Sequence, residues 1–231
     1  VCALLVPALA LLYAGASHVV IFARREDLPE VFSAIFRGAF RPQAVVGGAA
    51  GITIRHAIVS GVGRGIFSNE AGLGSAPMAH AAADAPPVEQ GFFGMLEVFV
   101  DTVVVCTLSA LVILLGVGVE NVPYGTAQGA LLTEAGFQAV LGEKAPAVLM
   151  AVCLTLFAVS TLLTWGLYGC RCAAFLLGER AGSAYQVVFA GAAVLGGVLE
   201  LEAVWRAADT LSGLMALPNL TALLLLSPEA A

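Results

Sequence analysis

The sequence predicts an all-α integral membrane protein, and three observations carry that prediction. Of its 231 residues, 60% are apolar and 11% charged, against about 25% charged in soluble domains. The mean hydropathy is +0.96. Several stretches free of Asp, Glu, Lys and Arg approach or exceed the roughly 20 residues of helix that cross a bilayer core. The same composition excludes other classes. A net charge of −6 leaves no basic surface for nucleic acid, and three histidines leave little for a metal cage. Small molecules and membrane lipid are the partners such a chain suits.

In chain order, the first expected span covers residues 1–22. It opens Val1-Cys2-Ala3, without Met or a charged leader, so it reads as neither a signal peptide nor a natural start, and the chain reads as a fragment of a longer protein. Leu28 to Phe40 sets Val31, Ile35, Phe36 and Phe40 at helical spacing, which suits a short surface helix over 28–40 lying in the interface. Residues 45–75 form an apolar but broken span. Gly47, Gly48, Gly51, Gly61, Gly63, Gly65, Gly72 and Gly74 interrupt it, each costing about 1 kcal/mol of helix propensity against alanine, and Arg55, Arg64 and Glu70 bring charge into it. A span over 91–118 follows, then a re-entrant or surface helix over 125–141, then spans over 145–170, 183–199 and 207–227. Both connectors read equally well as ordinary amphipathic links. Most of the five cysteines sit in apolar runs as small hydrophobes, and Cys170-x-Cys172 is too tight for the common zinc or redox spacing.

The stretch that carries chemistry is Gly61 to Ala83, GVGRGIFSNEAGLGSAPMAHAAA. Unpaired backbone groups do not face hydrocarbon, so an irregular segment at membrane depth survives where protein or a watery cavity covers it. An ionisable residue there costs about 2.5 to 3.5 kcal/mol on insertion scales and faces a pathway or a partner. A broken helix lining a polar cavity meets both demands: carbonyls ending its first half take a cation, and amides opening its second half take an anion. Read plainly, Ser68 to Gly74 is equally a loop between two spans with Glu70 solvated.

The core SNEAGLGSAP, from Ser68 to Pro77, closely resembles the alanine or glycine:cation symporter family, the sodium:alanine symporters. Gln90-Gly91, Asp101-Thr102 to Cys106-Thr107 and Ala208-Asp209-Thr210 to Pro218-Asn219 add to the resemblance, which covers essentially the whole chain. It implies a leucine-transporter-like (amino acid/polyamine/organocation) fold, of which this chain supplies the second inverted repeat with its broken helix, together with the last helix of the first repeat. The first core helices are absent on this reading. It also places the first connector on the extracellular side, whereas Arg24, Arg25, Arg37 and Arg41 mildly favour the cytoplasm by the positive-inside rule. The resemblance is the better guide, because Glu26, Asp27 and Glu30 sit beside those arginines.

Carried over residue by residue, the resemblance makes Phe67, Ser68, Asn69, Glu70 and Gly72 the substrate-binding wall for a small neutral amino acid, alanine or glycine. Phe67 suits a lid. Glu70 either senses the ammonium group or braces the unwound backbone. Ser160 and Thr161 match the sodium ligands of the fold's eighth helix, the other ligands belonging to the missing N-terminal helices. Without the resemblance they are adjacent hydroxyls that bond back to the preceding turn. Trp165 follows Thr161 by four residues on the same helical face and either closes the pocket or anchors packing. Glu97 and Asp101 read as a structural network with Arg64 as partner, and His80 and Asp84 as loop residues.

The resulting expectation is a sodium-coupled symporter of small neutral amino acids working by alternating access, multi-pass in a bacterial or archaeal plasma membrane, and not an enzyme. One alternative is an intramembrane acid/base enzyme using Glu97, Asp101 or Asp209, for which the usual motifs are missing. Another is a structural membrane subunit.

Overall fold

The computed structural model describes residues 2–40, 54–122 and 129–229. The described residues are helical, with no strand among them. The helices are α1 (Cys2–Ala23), α2 (Leu28–Phe40), α3 (Ile54–Asn69), α4 (Ser75–His80), α5 (Pro87–Phe99), α6 (Cys106–Val117), α7 (Gly129–Leu141), α8 (Lys144–Leu177), α9 (Glu179–Gly196) and α10 (Leu201–Leu226). Residues 45–53 of the expected broken span and 125–128 of the second connector lie outside the described residues.

Among the described residues, four helical stretches are long and apolar enough to cross a membrane: Leu5–Ala23, Pro87–Val117, Lys144–Leu177 and Leu201–Leu226. The second is 31 residues long because α5 runs into α6 through a π-helical segment, Val100–Val105. The widened segment begins at Val100 and takes in Asp101, while Glu97 lies on the regular helix α5 before it. The exposed Leu, Val and Phe side chains on these stretches are what a lipid-facing surface requires, since apolar tails replace water as the solvent there.

The chain forms two compact units, Val1–Val62 with Phe99–Ala158, and Gly63–Val98 with Val159–Ala231. In the first, α1, α6, α7 and the start of α8 share a core of Val20, Val112, Phe137 and Met150. A second cluster, Val31, Leu111 and Leu115, receives Leu28 and Ile35 from α2. Thus α2 uses the spacing of Val31 and Ile35 to pack on α6, while Phe32 and Phe36 stay exposed. Helix α7, expected as a re-entrant or surface element, buries Thr133, Gly136 and Phe137. Glycines set how closely it approaches α6: a Cβ on Gly116 would collide with the Gly136 backbone, and one on Gly136 with the Val112 carbonyl. Small residues at such crossings are how membrane helices gain van der Waals contact without a hydrophobic driving force. Polar groups inside this unit find partners in it. The Tyr13 hydroxyl and Ser109 Oγ are 2.7 Å apart, and buried Ser17 donates to the Tyr13 carbonyl at 2.8 Å.

The second unit holds the end of α3, the α3–α4 break, most of α5, the later part of α8, and α9 and α10. Gly178, at φ +92°, turns α8 into α9. Glycines again admit the neighbour: Gly169 lies against the Tyr185 ring, and Gly166 against Phe189.

Candidate functional site

Every residue singled out from the sequence as a substrate or sodium contact falls in the second unit. The site is built around the break between α3 and α4. Helix α3 stops because its hydrogen-bond ladder is diverted. The Ala71 amide donates to the Asn69 Oδ1 at 2.9 Å, and the Leu73 amide donates to the Glu70 carbonyl at 3.1 Å, where a continuing helix would send both four residues back. Glu70, Gly72 and Gly74 take left-handed backbone angles, φ +55°, +85° and +87°. Glycine adopts these without penalty. For Glu70 the conformation costs roughly 1–2 kcal/mol.

What holds Glu70 there is a bond across the unit. The Trp165 indole Nε1–H donates to Glu70 Oε1 at 2.9 Å. A hydrogen bond to a charged acceptor contributes about 1.5–3 kcal/mol, enough to offset the backbone cost. The sequence left Glu70 between a substrate contact and a brace on backbone amides; its partner in the structure is a side chain on α8. Trp165 in turn packs edge-on against Tyr168, with ring centroids 6.2 Å apart.

One turn earlier on α3, Phe67 packs edge-on against Trp205 of α10 at 5.1 Å. The Arg64 guanidinium lies 3.9 Å above the same indole and its Nη1 donates to Asp209 Oδ1 at 3.2 Å. This corrects the expectation that Arg64 serves Glu97. Glu97 instead faces His80, at 3.6 Å, and His80 closes α4 rather than standing in a loop. Both ends of the Arg64–Asp209 pair are about half exposed, 46% and 48%, so the ion pair itself contributes little, and the stacking on Trp205 adds about 0.5–1 kcal/mol.

Ser68 is exposed and Gly72 approaches Leu220 of α10. On α8, Ser160 is half-buried and Thr161 exposed. The Ser160 carbonyl accepts from Thr164 Oγ1 at 2.9 Å, the back-bonding usual for hydroxyls in apolar helices. The Thr161 hydroxyl makes no such bond among the described residues, a state it shares with Thr107 and Thr155. The structure therefore joins Glu70 to Trp165, while Phe67 packs on Trp205 and Thr161 stands one turn before Trp165 on α8.

The sequence reading passed over Trp205 and the pairing of Asp209. Arg64 and Asp209 were each visible as a charge inside an apolar run, the signal that calls for a partner, but 145 residues separate them. Ser75 is 1% exposed, and its hydroxyl has no hydrogen-bond partner among the described residues.

The family model described as the sodium:alanine symporter family matches residues 1–231. The chain belongs to that family. Among its relatives, an uncharacterized transporter of Haemophilus influenzae is 44% identical over 95% of this chain and 48% of its own length. The sodium/alanine symporter AgcS of Methanococcus maripaludis is 40% identical over 97% of this chain and 48% of its own. The probable sodium/glutamine symporter GlnT of Bacillus subtilis is 37% identical over 96% of this chain and 45% of its own. The chain spans about half the length of the curated relatives it matches. The broken α3–α4 element and the apolar helices are thus features of a member of a transporter family, and the protein is a multi-pass membrane protein.

Proposed function

We propose that the protein is a sodium-coupled symporter of small neutral amino acids, alanine or glycine, working by alternating access in the plasma membrane. The observation that carries this reading is the Glu70–Trp165 bond, which ties the left-handed segment at the helix break to α8, the two places from which substrate and sodium contacts are assigned. In this reading Phe67, Ser68, Asn69, Glu70, Gly72 and Trp165 wall the substrate, carbonyls ending α3 face its ammonium group, and amides of the break face its carboxylate. Sodium, a hard cation that takes oxygen ligands, is held by Ser160 and Thr161. Its remaining ligands come from the part of the full-length protein that corresponds to the half of the relatives not matched here. The inverted-repeat, leucine-transporter-like architecture belongs to the same proposal. The sodium/alanine and sodium/glutamine names of two relatives support the substrate class, and alanine against glutamine is a matter of pocket volume.

The test is uptake of labelled alanine by the full-length protein in proteoliposomes, with and without an inward sodium gradient, with glycine and glutamine as competitors. The expected result is gradient-driven uptake, competed by glycine more than by glutamine, with a sodium half-saturation raised about tenfold or more by Thr161→Ala. Uptake indifferent to sodium, and unchanged by substitution of Ser160 and Thr161, overturns the coupling assignment.

A further inference from the structure

Outside the proposed substrate and sodium contacts, one cluster of side chains converges on a single titratable group. His80, the last residue of α4, lies against α5 at Gly94, where a Cβ would come within 3.3 Å of the imidazole Nε2. The residues on either side of Gly94 along that face of α5 meet the two ring nitrogens. Gln90 Nε2 is 2.6 Å from His80 Nδ1, and Glu97 Oε2 is 3.6 Å from His80 Nε2. Positions 90, 94 and 97 are one helical stripe, so α5 offers an amide, a gap and a carboxylate in line, and the imidazole fills them.

We propose that His80 is a proton-binding site that clasps α4 to α5, so that proton concentration sets how firmly the second half of the broken helix is held. Imidazole is the side chain that changes charge between about pH 5 and 8. In the neutral ring, the Gln90 amide donates to Nδ1, which places the ring proton on Nε2 toward Glu97. A second proton makes the ring a cation beside the Glu97 carboxylate and turns Nδ1 into a donor, to which Gln90 presents its carbonyl oxygen after rotating its amide. Glu97 is the charged group that faces the ring. From α8, Cys172 reaches α4, its thiol contacting Met78 at 3.8 Å, and Tyr168 is the other titratable side chain on that part of the helix. The sign follows from the charges: the ring attracts the Glu97 carboxylate only while it carries its second proton.

The proposal rests on the symport reading only for its functional consequence. If α4 moves during transport, a tighter clasp slows turnover. In the full-length protein at a fixed sodium gradient, uptake is expected to fall about twofold from pH 8 to pH 6, with His80→Gln, which keeps a hydrogen-bonding side chain, removing most of that dependence. A spin label on exposed Ala79 reads the clasp without transport: its motion is expected to slow on acidification in the parent, and to be insensitive to pH in His80→Gln. Glu97→Gln, at an exposed position, tests the charge partner if His80→Gln fails to fold, and is expected to flatten both profiles. A pH profile and label response that His80→Gln or Glu97→Gln leaves unchanged overturns the proposal. Loss of sodium dependence in the parent overturns the symport reading alone, because the label response is measured independently of it.

Discussion

Glu70 is in a costly backbone conformation and its carboxylate accepts from Trp165, a bond that substitution can remove. Trp165→Phe keeps the ring and removes the Nε1–H that Glu70 Oε1 accepts at 2.9 Å, leaving a half-buried carboxylate without that donor. Loss of such a bond costs about 1.5–3 kcal/mol, so alanine affinity is expected to weaken about tenfold or more in equilibrium binding. Trp165→Phe and Glu70→Gln are expected to be non-additive, since they remove the same interaction; additive losses would separate the two residues. Ser75 calls for the opposite change. Its fully buried hydroxyl lacks a partner among the described residues, and an unsatisfied buried polar group costs about 1–3 kcal/mol. Ser75→Ala is therefore expected to raise the thermal midpoint of the detergent-solubilised protein by a few degrees while leaving uptake intact, and a lower midpoint would show that the hydroxyl is bonded in the full-length protein.

At the scale of elements, helix contacts in both units depend on missing side chains rather than on large ones. The α6–α7 crossing is the clearest case: Gly116 and Gly136 face each other's elements with no room for a methyl group. Overpacking costs about 1–3 kcal/mol even where backbones can shift, so Gly116→Ala and Gly136→Ala are expected to lower the thermal midpoint by several degrees. Gly91→Ala, at an exposed site on α5 with nothing within 4 Å, is the matched control and should leave it unchanged or slightly raised. This contrast also marks how far the sequence could be read. Of the glycines read as interrupting the broken span, Gly72 and Gly74 take left-handed angles at the break, whereas Gly61, Gly63 and Gly65 lie inside the continuous helix α3, their propensity cost of about 1 kcal/mol each being too small to break it. Gly116, inside an unbroken apolar run, carried no local sign of its role, which exists only because Gly136 lies opposite. The π segment at Val100–Val105 was equally silent, since VDTVVV has no composition that distinguishes a wide turn from an ordinary one.

At the scale of the whole molecule, membrane residence was legible because it is a property of summed composition, and the family was legible because SNEAGLGSAP is a contiguous run. Pairings such as Arg64 with Asp209 and Glu70 with Trp165 were not, because each joins residues about a hundred positions or more apart, and sequence spacing says nothing about which helices meet. The proposed coupling is a whole-molecule property of the same kind, and it has a thermodynamic signature that does not require transport. If sodium binds the folded protein and favours the substrate-binding conformation, it stabilises the fold by RT ln(1 + [Na]/Kd), about 2.7 kcal/mol at a hundredfold excess over Kd. Replacing potassium by sodium at constant ionic strength should then raise the thermal midpoint of the full-length protein. By linkage, alanine must tighten sodium binding by the same factor by which sodium tightens alanine binding. Thr161→Ala is expected to abolish the sodium-specific rise and the mutual tightening together, while leaving the midpoint in potassium near that of the parent, because the Thr161 hydroxyl makes no hydrogen bond among the described residues. A sodium-specific rise that survives in Thr161→Ala and in Ser160→Ala would move the ion away from α8, and a midpoint that falls equally in both salts would make Thr161 a packing residue.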